Sequence, residues 1–373
     1  YGSGTVSGRM FEEKVSAFGL EVANQWIGSI HRESLKGYEI FEYDGVLGLG
    51  MPNRAIGSGD KTTSFLENAH VHSFSICYER NGNGDFIRGG DPTLQYLTTP
   101  VDENEKHWSV PLSGIRSAKI SHVNAKSPNN SKIPVCDSSN SCSAIIDSGT
   151  TLIIGPKDHL DHMYSNLCSY LSGCKGQNVT ARSKSFLKTL LSCPNDLTSL
   201  PNIEFNLGGH WISLDPLNYV MITKHSLPHK NKKLDLMNQI WGEEVGSLLE
   251  TGDFHLACLP VFSKSPPALK QIRESWIIGM PLMRQYSVKF DKGSEGMGPS
   301  IGFAALTGCC GKCKQCGHDV AAFNATALPD VNDEDARKNK QGLFSEKGWL
   351  ARDLQQFDPY DHEVLLGFGA SAL

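Results

Sequence analysis

The sequence predicts a mainly β protein, because short apolar or alternating runs are repeatedly separated by glycine, asparagine, aspartate and proline. Three such runs span residues 44–50, 74–78 and 203–207. Hydrophobic residues make up 39% of the 373-residue chain and charged residues 20%, a balance typical of a protein with a packed core. Helices are expected to be few and short.

The best helical candidate spans residues 157–172, directly after Gly155 and Pro156. Its apolar side chains recur at the three- and four-residue spacing that places them on one face of a helix. These side chains are Leu160, Met163, Tyr164, Leu167 and Leu171.

Charge and hydropathy exclude two classes of protein. The net charge of −5 supplies no basic face for a phosphate backbone, so nucleic acid is not an expected partner. No apolar run approaches the roughly 20 residues that a membrane-spanning helix needs. We therefore expect no transmembrane segment in this chain.

Cysteines and glycosylation signals favour a secretory protein. The eleven cysteines include two close pairs, Cys136 with Cys142 and Cys168 with Cys174, and no histidine stands at ligand spacing beside them. Close pairs on loops favour disulfides over metal sites. Three Asn-X-Ser/Thr triplets match the signal for N-glycosylation. They begin at Asn129, Asn178 and Asn324.

Composition divides the chain into four parts. Residues 1–100 and 107–306 form two β-rich blocks, and the acidic stretch 101–106 is the expected connector between them. From residue 307 the composition changes to a cysteine cluster followed by a polar tail. Residues 307–373 are interpreted as an appendage that is poorly ordered in part.

The strongest chemical signal is Asp147, which lies between two fully apolar runs within residues 143–155. Burying a carboxylate is unfavourable unless several donors satisfy it. Ser148, Thr150 and Thr151 supply hydroxyls, and Gly149 allows backbone N–H groups to approach closely. Asp-Ser-Gly is also an ordinary turn tripeptide, so these residues alone leave a purely structural role open.

Residues 143–155 resemble the second active-site motif of the pepsin-like aspartic proteases, in which apolar residues precede Asp-Thr/Ser-Gly-Thr/Ser. Further landmarks follow in the order of that family over residues 1–306. Residues 1–8 resemble the flap, the hairpin that covers the substrate, and residues 41–49 resemble the apolar Asp-Gly strand of the first lobe. The remaining similar segments are 89–91, 107–108, 191–193, 200–205 and 276–304.

The resemblance implies a bilobal fold with an incomplete first lobe in residues 1–100, beginning at the flap, and a complete second lobe in residues 107–306. It also implies an aspartic endopeptidase that uses two carboxylates, one from each lobe. Because two such close charges cannot both ionise, the pair holds one proton. One carboxylate then activates a water as general base, while the protonated one polarises the scissile carbonyl and later acts as general acid. Neither a cofactor nor a metal is expected.

By the position of Asp147 in the motif, the resemblance implies that it is the catalytic carboxylate of the second lobe. The resemblance implies that Ser148 braces the pair of carboxylates through an inter-lobe hydroxyl contact. The Gly149 N–H and the Thr150 hydroxyl would hold the Asp147 carboxylate, and Thr151 would line the cleft. The expected substrate-binding residues are Tyr1, Gly2 and Ser3 of the flap together with Gly149, Thr150 and Thr151.

The first-lobe motif of the family is absent from this sequence. The single Asp-Ser-Gly begins at Asp147, and there is no Asp-Thr-Gly. Asp44 and Asp291 are interpreted as structural. In the family the missing motif precedes the flap, so the chain is interpreted as an N-terminally truncated piece of an active enzyme. The piece itself is expected to be inactive.

Three disulfides are predicted. Both close pairs are expected to be bonded, Cys168 with Cys174 on proximity alone. The resemblance adds Cys193 with Cys258, because Cys258 stands where the family places that partner. Cys77, in an apolar strand, is interpreted as a buried free thiol.

Two other classes of function stay open. One is a pepsin-fold binding or inhibitor protein that has lost catalysis, although the intact Asp-Ser-Gly-Thr argues against it. The other is a metal protein built on the cysteine cluster, whose two-residue gaps suit zinc or an iron–sulfur cluster. Disulfides are the default for such cysteines in a secreted chain, and lipid attachment is a third fate. The cluster consists of Cys309, Cys310, Cys313 and Cys316.

The resemblance implies a monomer that acts on polypeptide substrates. The expected location is the secretory pathway, with delivery to the extracellular space or to a lysosome or vacuole.

Overall fold

The computed structural model describes residues 6–33, 45–51, 63–79, 84–101, 107–118, 131–137, 142–194, 197, 199–224, 256–265, 275–294, 296–306 and 310. Within these residues the protein is mainly β, as the sequence predicts, with seventeen strands and five α-helices. Among them, no helix combines the length and the apolar character that crossing a membrane requires.

The strands of the first half are β1 (Val6–Ala17), β2 (Leu20–Glu33), β3 (Ser73–Tyr78), β4 (Gly84–Arg88), β5 (Leu97–Pro100), β6 (Ser109–Ala118), β7 (Ser131–Ile133), β8 (Cys142–Ile146) and β9 (Ile153–Gly155). The later strands are β10 (Asn202–Leu207), β11 (His210–Leu214), β12 (Val220–Lys224), β13 (Leu256–Pro260), β14 (Phe262–Lys264), β15 (Ser275–Ile278), β16 (Tyr286–Asp291) and β17 (Ser300–Ala305). The helices are α1 (Phe65–Asn68), α2 (Lys157–Leu167), α3 (Val179–Leu191), α4 (Pro216–Tyr219) and α5 (Met280–Met283), and a 3-10 helix (Cys168–Tyr170) follows α2.

An eight-stranded sheet positions the candidate site. Its order is β11-β10-β6-β8-β15-β9-β14, and β7 pairs with β6. Strands β8 and β15 run parallel at the centre, with Ile146 opposite Ile278. Both strands therefore end at the same edge, and the residues that follow them, Asp147 and Gly279, emerge side by side.

The centre of this sheet is buried on both faces. Ile146, Ile153 and Ile278 belong to the main hydrophobic core. Ile145 and its neighbours Ile154 and Ile277 form a separate cluster on the opposite side. Strands covered on both faces need continuous apolar runs rather than alternation, which explains the unbroken apolar sequence before Asp147.

A five-stranded sheet of order β4-β3-β16-β17-β5 joins strands from residues 73–100 to strands from residues 286–305. Aromatic rings pack beside it, with the ring centroids of Phe74 and Phe290 5.1 Å apart and those of Trp108 and Phe290 5.3 Å apart. The two β-rich blocks thus share one sheet, and the boundaries between them stay a prediction.

Two predicted strands and the predicted helix are confirmed. Residues 74–78 and 203–207 lie in β3 and β10. Residues 157–172 contain α2 and the short 3-10 helix, and all five apolar side chains of the predicted face are buried. Helix α3 was not expected from the sequence, because its first half is polar. Asn178 caps it by accepting a hydrogen bond from the Ala181 N–H at 2.9 Å.

The prediction of a strand over residues 44–50 is wrong for the residues that the structure describes. Residues 45–51 adopt no regular secondary structure. Val46 is 55% exposed and Leu47 39% exposed, so the apolar run does not serve as a core strand. Asp44 lies outside the described residues.

Four disulfides occur among the described cysteines. Cys136–Cys142, Cys168–Cys174 and Cys193–Cys258 are the expected pairs. The fourth corrects the interpretation of Cys77: this residue is buried, but it is bonded to Cys310 rather than free. The two cysteines are 233 positions apart, and connectivity over such a distance is not encoded in local sequence.

Candidate active site

The backbone around Asp147 is anchored to the two strands that flank it. The Ile146 N–H donates to the Trp108 carbonyl at 2.8 Å, and the Asp147 N–H donates to the Ile278 carbonyl at 3.1 Å. The chain then leaves the sheet through a turn in which the Thr150 N–H donates to the Asp147 carbonyl at 3.2 Å. Asp147 is therefore fixed at the end of a buried strand, with its side chain half-buried.

The turn supplies two donors to the Asp147 carboxylate. The Gly149 N–H donates to Oδ1 at 3.0 Å, and the Thr150 hydroxyl donates to Oδ2 at 2.6 Å. Each carboxylate oxygen thus has a local partner, as the family motif implied. These two donors orient the Asp147 carboxylate at the end of the strand.

Thr150 is the most buried member of the turn. Its side chain is 3% exposed, and its carbonyl accepts a hydrogen bond from the Met280 N–H at 2.8 Å. Asp147, Ser148, Gly149 and Thr151 are half-buried. The polar turn therefore has one side against the sheet and one side accessible.

Gly279, which follows β15, allows the chain to lie close to the turn that follows Asp147. A Cβ atom at Gly279 would lie 1.9 Å from the Thr150 carbonyl oxygen and 2.4 Å from that of Leu152. Real Cβ atoms do not occur at such distances from backbone oxygen, so only glycine fits here without movement of the turn.

Tyr78 contacts the turn from the other sheet. It is the last residue of β3, and its hydroxyl donates to the Ser148 carbonyl oxygen at 3.2 Å. Burial raises the pKa of Tyr78, and the negative charge of Asp147 raises it further, so the hydroxyl stays protonated as a donor. Sequence reasoning did not identify this residue. No spacing rule links positions 70 residues apart.

The other predicted site residues differ in where they lie. Tyr1, Gly2 and Ser3 lie outside the described residues. Asp291 is in β16, where its Oδ1 accepts from the Gly293 N–H at 2.9 Å and its Oδ2 lies 3.2 Å from the Lys289 ammonium. These local contacts fit the structural interpretation of Asp291.

The side chains of Cys136, Cys142 and His159 offer three potential metal-ligand atoms within 4.8 Å of one another. The two cysteines form a disulfide, so neither is available as a thiolate ligand. In the cysteine cluster near the C-terminus, Cys310 is bonded to Cys77, which removes one of the four ligands of the metal alternative. Cys309, Cys313 and Cys316 lie outside the described residues.

The chain is similar in sequence to several known proteins. The chain is 24% identical to napsin-A of Mus musculus over 314 residues, covering 82% of this chain and 62% of the relative. It is also 24% identical to renin of Canis lupus familiaris over 304 residues, covering 80% of this chain and 62% of the relative. For pepsin A of Gallus gallus the identity is 24%, over 80% of this chain and 67% of the relative. The chain thus spans a little under two thirds of the length of the first two.

A comparison with solved structures shows that the chain shares its fold with an aspartic proteinase. The crystal structure of the aspartic proteinase from Irpex lacteus superposes with a TM-score of 0.53 at 19% identity, covering 82% of this chain and 80% of that chain. At this level of identity the superposition shows a shared fold.

The family model described as eukaryotic aspartyl protease matches residues 1–231, which is more than half of the sequence. This match includes Asp147 and the turn that holds its carboxylate. The chain belongs to the eukaryotic aspartyl protease family.

Proposed function

We propose that the protein is an aspartic-type endopeptidase in which Asp147 is the catalytic carboxylate of the second lobe. The observation that supports this most is the double hydrogen bonding of the Asp147 carboxylate by the Gly149 N–H and the Thr150 hydroxyl, at the end of a strand buried on both faces. A carboxylate placed in this way is oriented and partly accessible, and both features are needed to activate a water molecule.

The proposed reaction needs a second carboxylate facing Asp147. We propose that a segment preceding Tyr1 supplies it, because no second Asp-Thr/Ser-Gly occurs in this sequence. The two groups share one proton, so that the ionised one removes a proton from water while the protonated one donates to the scissile carbonyl oxygen. As the tetrahedral diol collapses and its C–N bond breaks, the carboxyl that took a proton from water passes it to the leaving amine, and one diol hydroxyl returns its proton to the other carboxylate. Without its partner, Asp147 supplies only half of this chemistry.

The remaining residues of the turn have supporting roles in this proposal. Ser148 braces the two carboxylates through its hydroxyl. Gly149 and Thr150 hold the Asp147 carboxylate. The half-buried Gly149 and Thr151 line the substrate cleft, whereas the burial of Thr150 does not fit the expected contact with substrate. Tyr1, Gly2 and Ser3 cover an extended polypeptide from the flap. The enzyme acts as a monomer without a metal or cofactor.

The test compares two proteins on one substrate. The upstream-extended protein and the 373-residue chain are each incubated with an unfolded protein at acidic pH, and the products are mapped by mass spectrometry. We expect the extended protein to cleave internal peptide bonds and the shorter chain to be inactive. An extended protein that folds, contains the upstream aspartate and still cleaves nothing would refute the proposal and favour the binding or inhibitor alternative.

We also propose that the protein is a glycoprotein of the secretory pathway, located outside the cell or in a lysosome or vacuole. Four disulfides support an oxidising compartment. Asn178 is exposed, and its side-chain oxygen caps α3. A glycan would attach through the side-chain nitrogen, so capping and glycosylation do not compete.

Expression in a secreting eukaryotic host tests this second proposal. Asn178→Asp keeps the helix cap and Thr180→Ala keeps the asparagine, yet both destroy the glycosylation signal. We expect each variant to carry one glycan fewer than the parent, measured as a lower mass. Glycosidase treatment of the parent should remove this difference in mass. An unmodified Asn178 in the secreted parent protein would contradict the proposed glycosylation at this residue.

A further inference from the structure

The peptide unit between Ser148 and Gly149 is hydrogen-bonded at both of its ends. Its carbonyl oxygen accepts from the Tyr78 hydroxyl at 3.2 Å, and its N–H donates to Oδ1 of Asp147 at 3.0 Å. The hydroxyl, the peptide and the carboxylate therefore form one continuous chain of hydrogen bonds.

We propose that Tyr78 is a positioning residue for Asp147, acting through the Ser148–Gly149 peptide. The inference rests on the proposed function of Asp147 only for its effect on catalysis. The structural part, the three-member chain of hydrogen bonds, stands independently of it.

Peptide geometry explains how a contact with one residue orients another. The peptide group is planar, so fixing the direction of the Ser148 carbonyl also fixes the direction of the Gly149 N–H. Hydrogen bonds in series also polarise one another, so donation by Tyr78 to the oxygen makes the N–H a better donor. Loss of the hydroxyl would weaken the bond to Asp147 Oδ1 and allow the peptide to rotate.

Two features of β3 and β4 hold the Tyr78 ring in place. The preceding residue, Cys77, is bonded covalently to Cys310. On the neighbouring strand, Gly84 lies opposite Tyr78, and a Cβ atom at Gly84 would be 2.7 Å from Cδ1 of the Tyr78 ring. The ring therefore occupies the space that a side chain at position 84 would need.

The chain can be tested directly by NMR without any activity. Labelling serine at its carbonyl carbon with ¹³C and glycine with ¹⁵N selects the peptide groups of Ser-Gly pairs, of which the sequence has six. The pair at Ser148 and Gly149 is assigned by its disappearance in Ser148→Ala. We expect Tyr78→Phe to shift the carbonyl and amide resonances of this pair, and to leave the pairs at Ser113 and Ser172 unchanged as evidence of an intact fold.

Two further variants make the result decisive. Tyr96→Phe removes another hydroxyl, one that bonds to Ser287 at 2.9 Å rather than to the turn, so it should leave the signal unmoved. Gly84→Ala keeps the Tyr78 hydroxyl but displaces the ring, so it should shift the same signal. If Tyr78→Phe folds and the signal stays in place, the proposal is wrong. If Tyr78→Phe does not fold, an unmoved signal in Gly84→Ala overturns the proposal.

The catalytic consequence is measured in the upstream-extended enzyme. We expect Tyr78→Phe to lower kcat about tenfold at unchanged KM, a loss of about 1.4 kcal/mol of transition-state stabilisation. A raised KM at unchanged kcat would place Tyr78 in substrate binding instead and overturn the positioning role. If the extended parent does not cleave at all, the proposed function fails, while the NMR result still decides whether Tyr78 orients the peptide.

Discussion

Gly279→Ala perturbs the structure at the point where β15 meets the turn of Asp147. The added methyl group would lie 1.9 Å from the Thr150 carbonyl oxygen and 2.4 Å from the Leu152 carbonyl oxygen. Neither atom belongs to a flexible side chain, so the backbone of the turn or of α5 must move by about an ångström to reach ordinary contact distance.

The size of the effect follows from what this movement breaks. Overpacking at a close contact typically costs about 1–3 kcal/mol. The hydrogen bond from the Met280 N–H to the Thr150 carbonyl, now 2.8 Å, would be strained or lost, for about 1 kcal/mol more. We expect a total near 3 kcal/mol, which lowers the melting temperature by roughly 4 °C, because the unfolding entropy of a 373-residue chain is about 0.8 kcal/mol/K.

Thermal unfolding measured by calorimetry or intrinsic fluorescence tests this expectation. Gly50→Ala is the matched control, because a Cβ atom at Gly50 would meet nothing within 4 Å. This control should change stability by no more than about 0.5 kcal/mol. Equal melting temperatures for the Gly279→Ala and Gly50→Ala variants would refute the close packing of the turn against β15.

Three further perturbations have defined outcomes. Thr150→Val removes the donor to Asp147 Oδ2 and should destabilise the protein by about 1.5–3 kcal/mol in urea unfolding. Thr151→Val, at a half-buried neighbour, should be nearly neutral. Equal effects of the two variants on stability would contradict the role of the Thr150 hydroxyl. Replacing Cys77 and Cys310 together by serine opens a loop of 233 positions and should cost up to about 5 kcal/mol, so an unchanged urea midpoint under non-reducing conditions would argue against the bond. Burial, and then the charge of a nearby carboxylate, raise the pKa of Tyr164 above its ordinary value. The contribution of Tyr164 to stability is therefore complete below about pH 10 and is lost as pH rises further. A urea midpoint that stays constant up to pH 12 would contradict this pH dependence.

Local sequence was sufficient to predict the carboxylate-binding turn. The two donors to Asp147 come from residues two and three positions later. Interactions over so short a distance follow from the motif itself, and the apolar runs on either side indicated a buried strand. The predicted strands at 74–78 and 203–207 were recognisable for the same reason, since their apolar residues are bounded by turn-forming ones.

Long-range contacts could not be predicted in this way. The bond between Tyr78 and Ser148 spans 70 positions and the disulfide of Cys77 spans 233. Both depend on how β3 is placed in the five-stranded sheet, which the sequence does not show. Helix α3 was missed because its polar first half hides the apolar face that Phe186 and Leu190 provide. The exposed apolar run at residues 45–50 led to a wrong strand prediction. Hydrophobicity alone does not distinguish a strand from a glycine-rich loop.

The central claim, that Asp147 is a catalytic carboxylate, is tested most directly by Asp147→Asn in the upstream-extended enzyme. The amide keeps the size of the side chain and can still accept one of the two hydrogen bonds, but it cannot ionise or share a proton. Asp291→Asn is the matched control, because it removes a carboxylate that is engaged in local contacts within β16. We predict that proteolysis at acidic pH is abolished in Asp147→Asn and retained in Asp291→Asn. Undiminished cleavage by a folded Asp147→Asn enzyme would contradict the assignment.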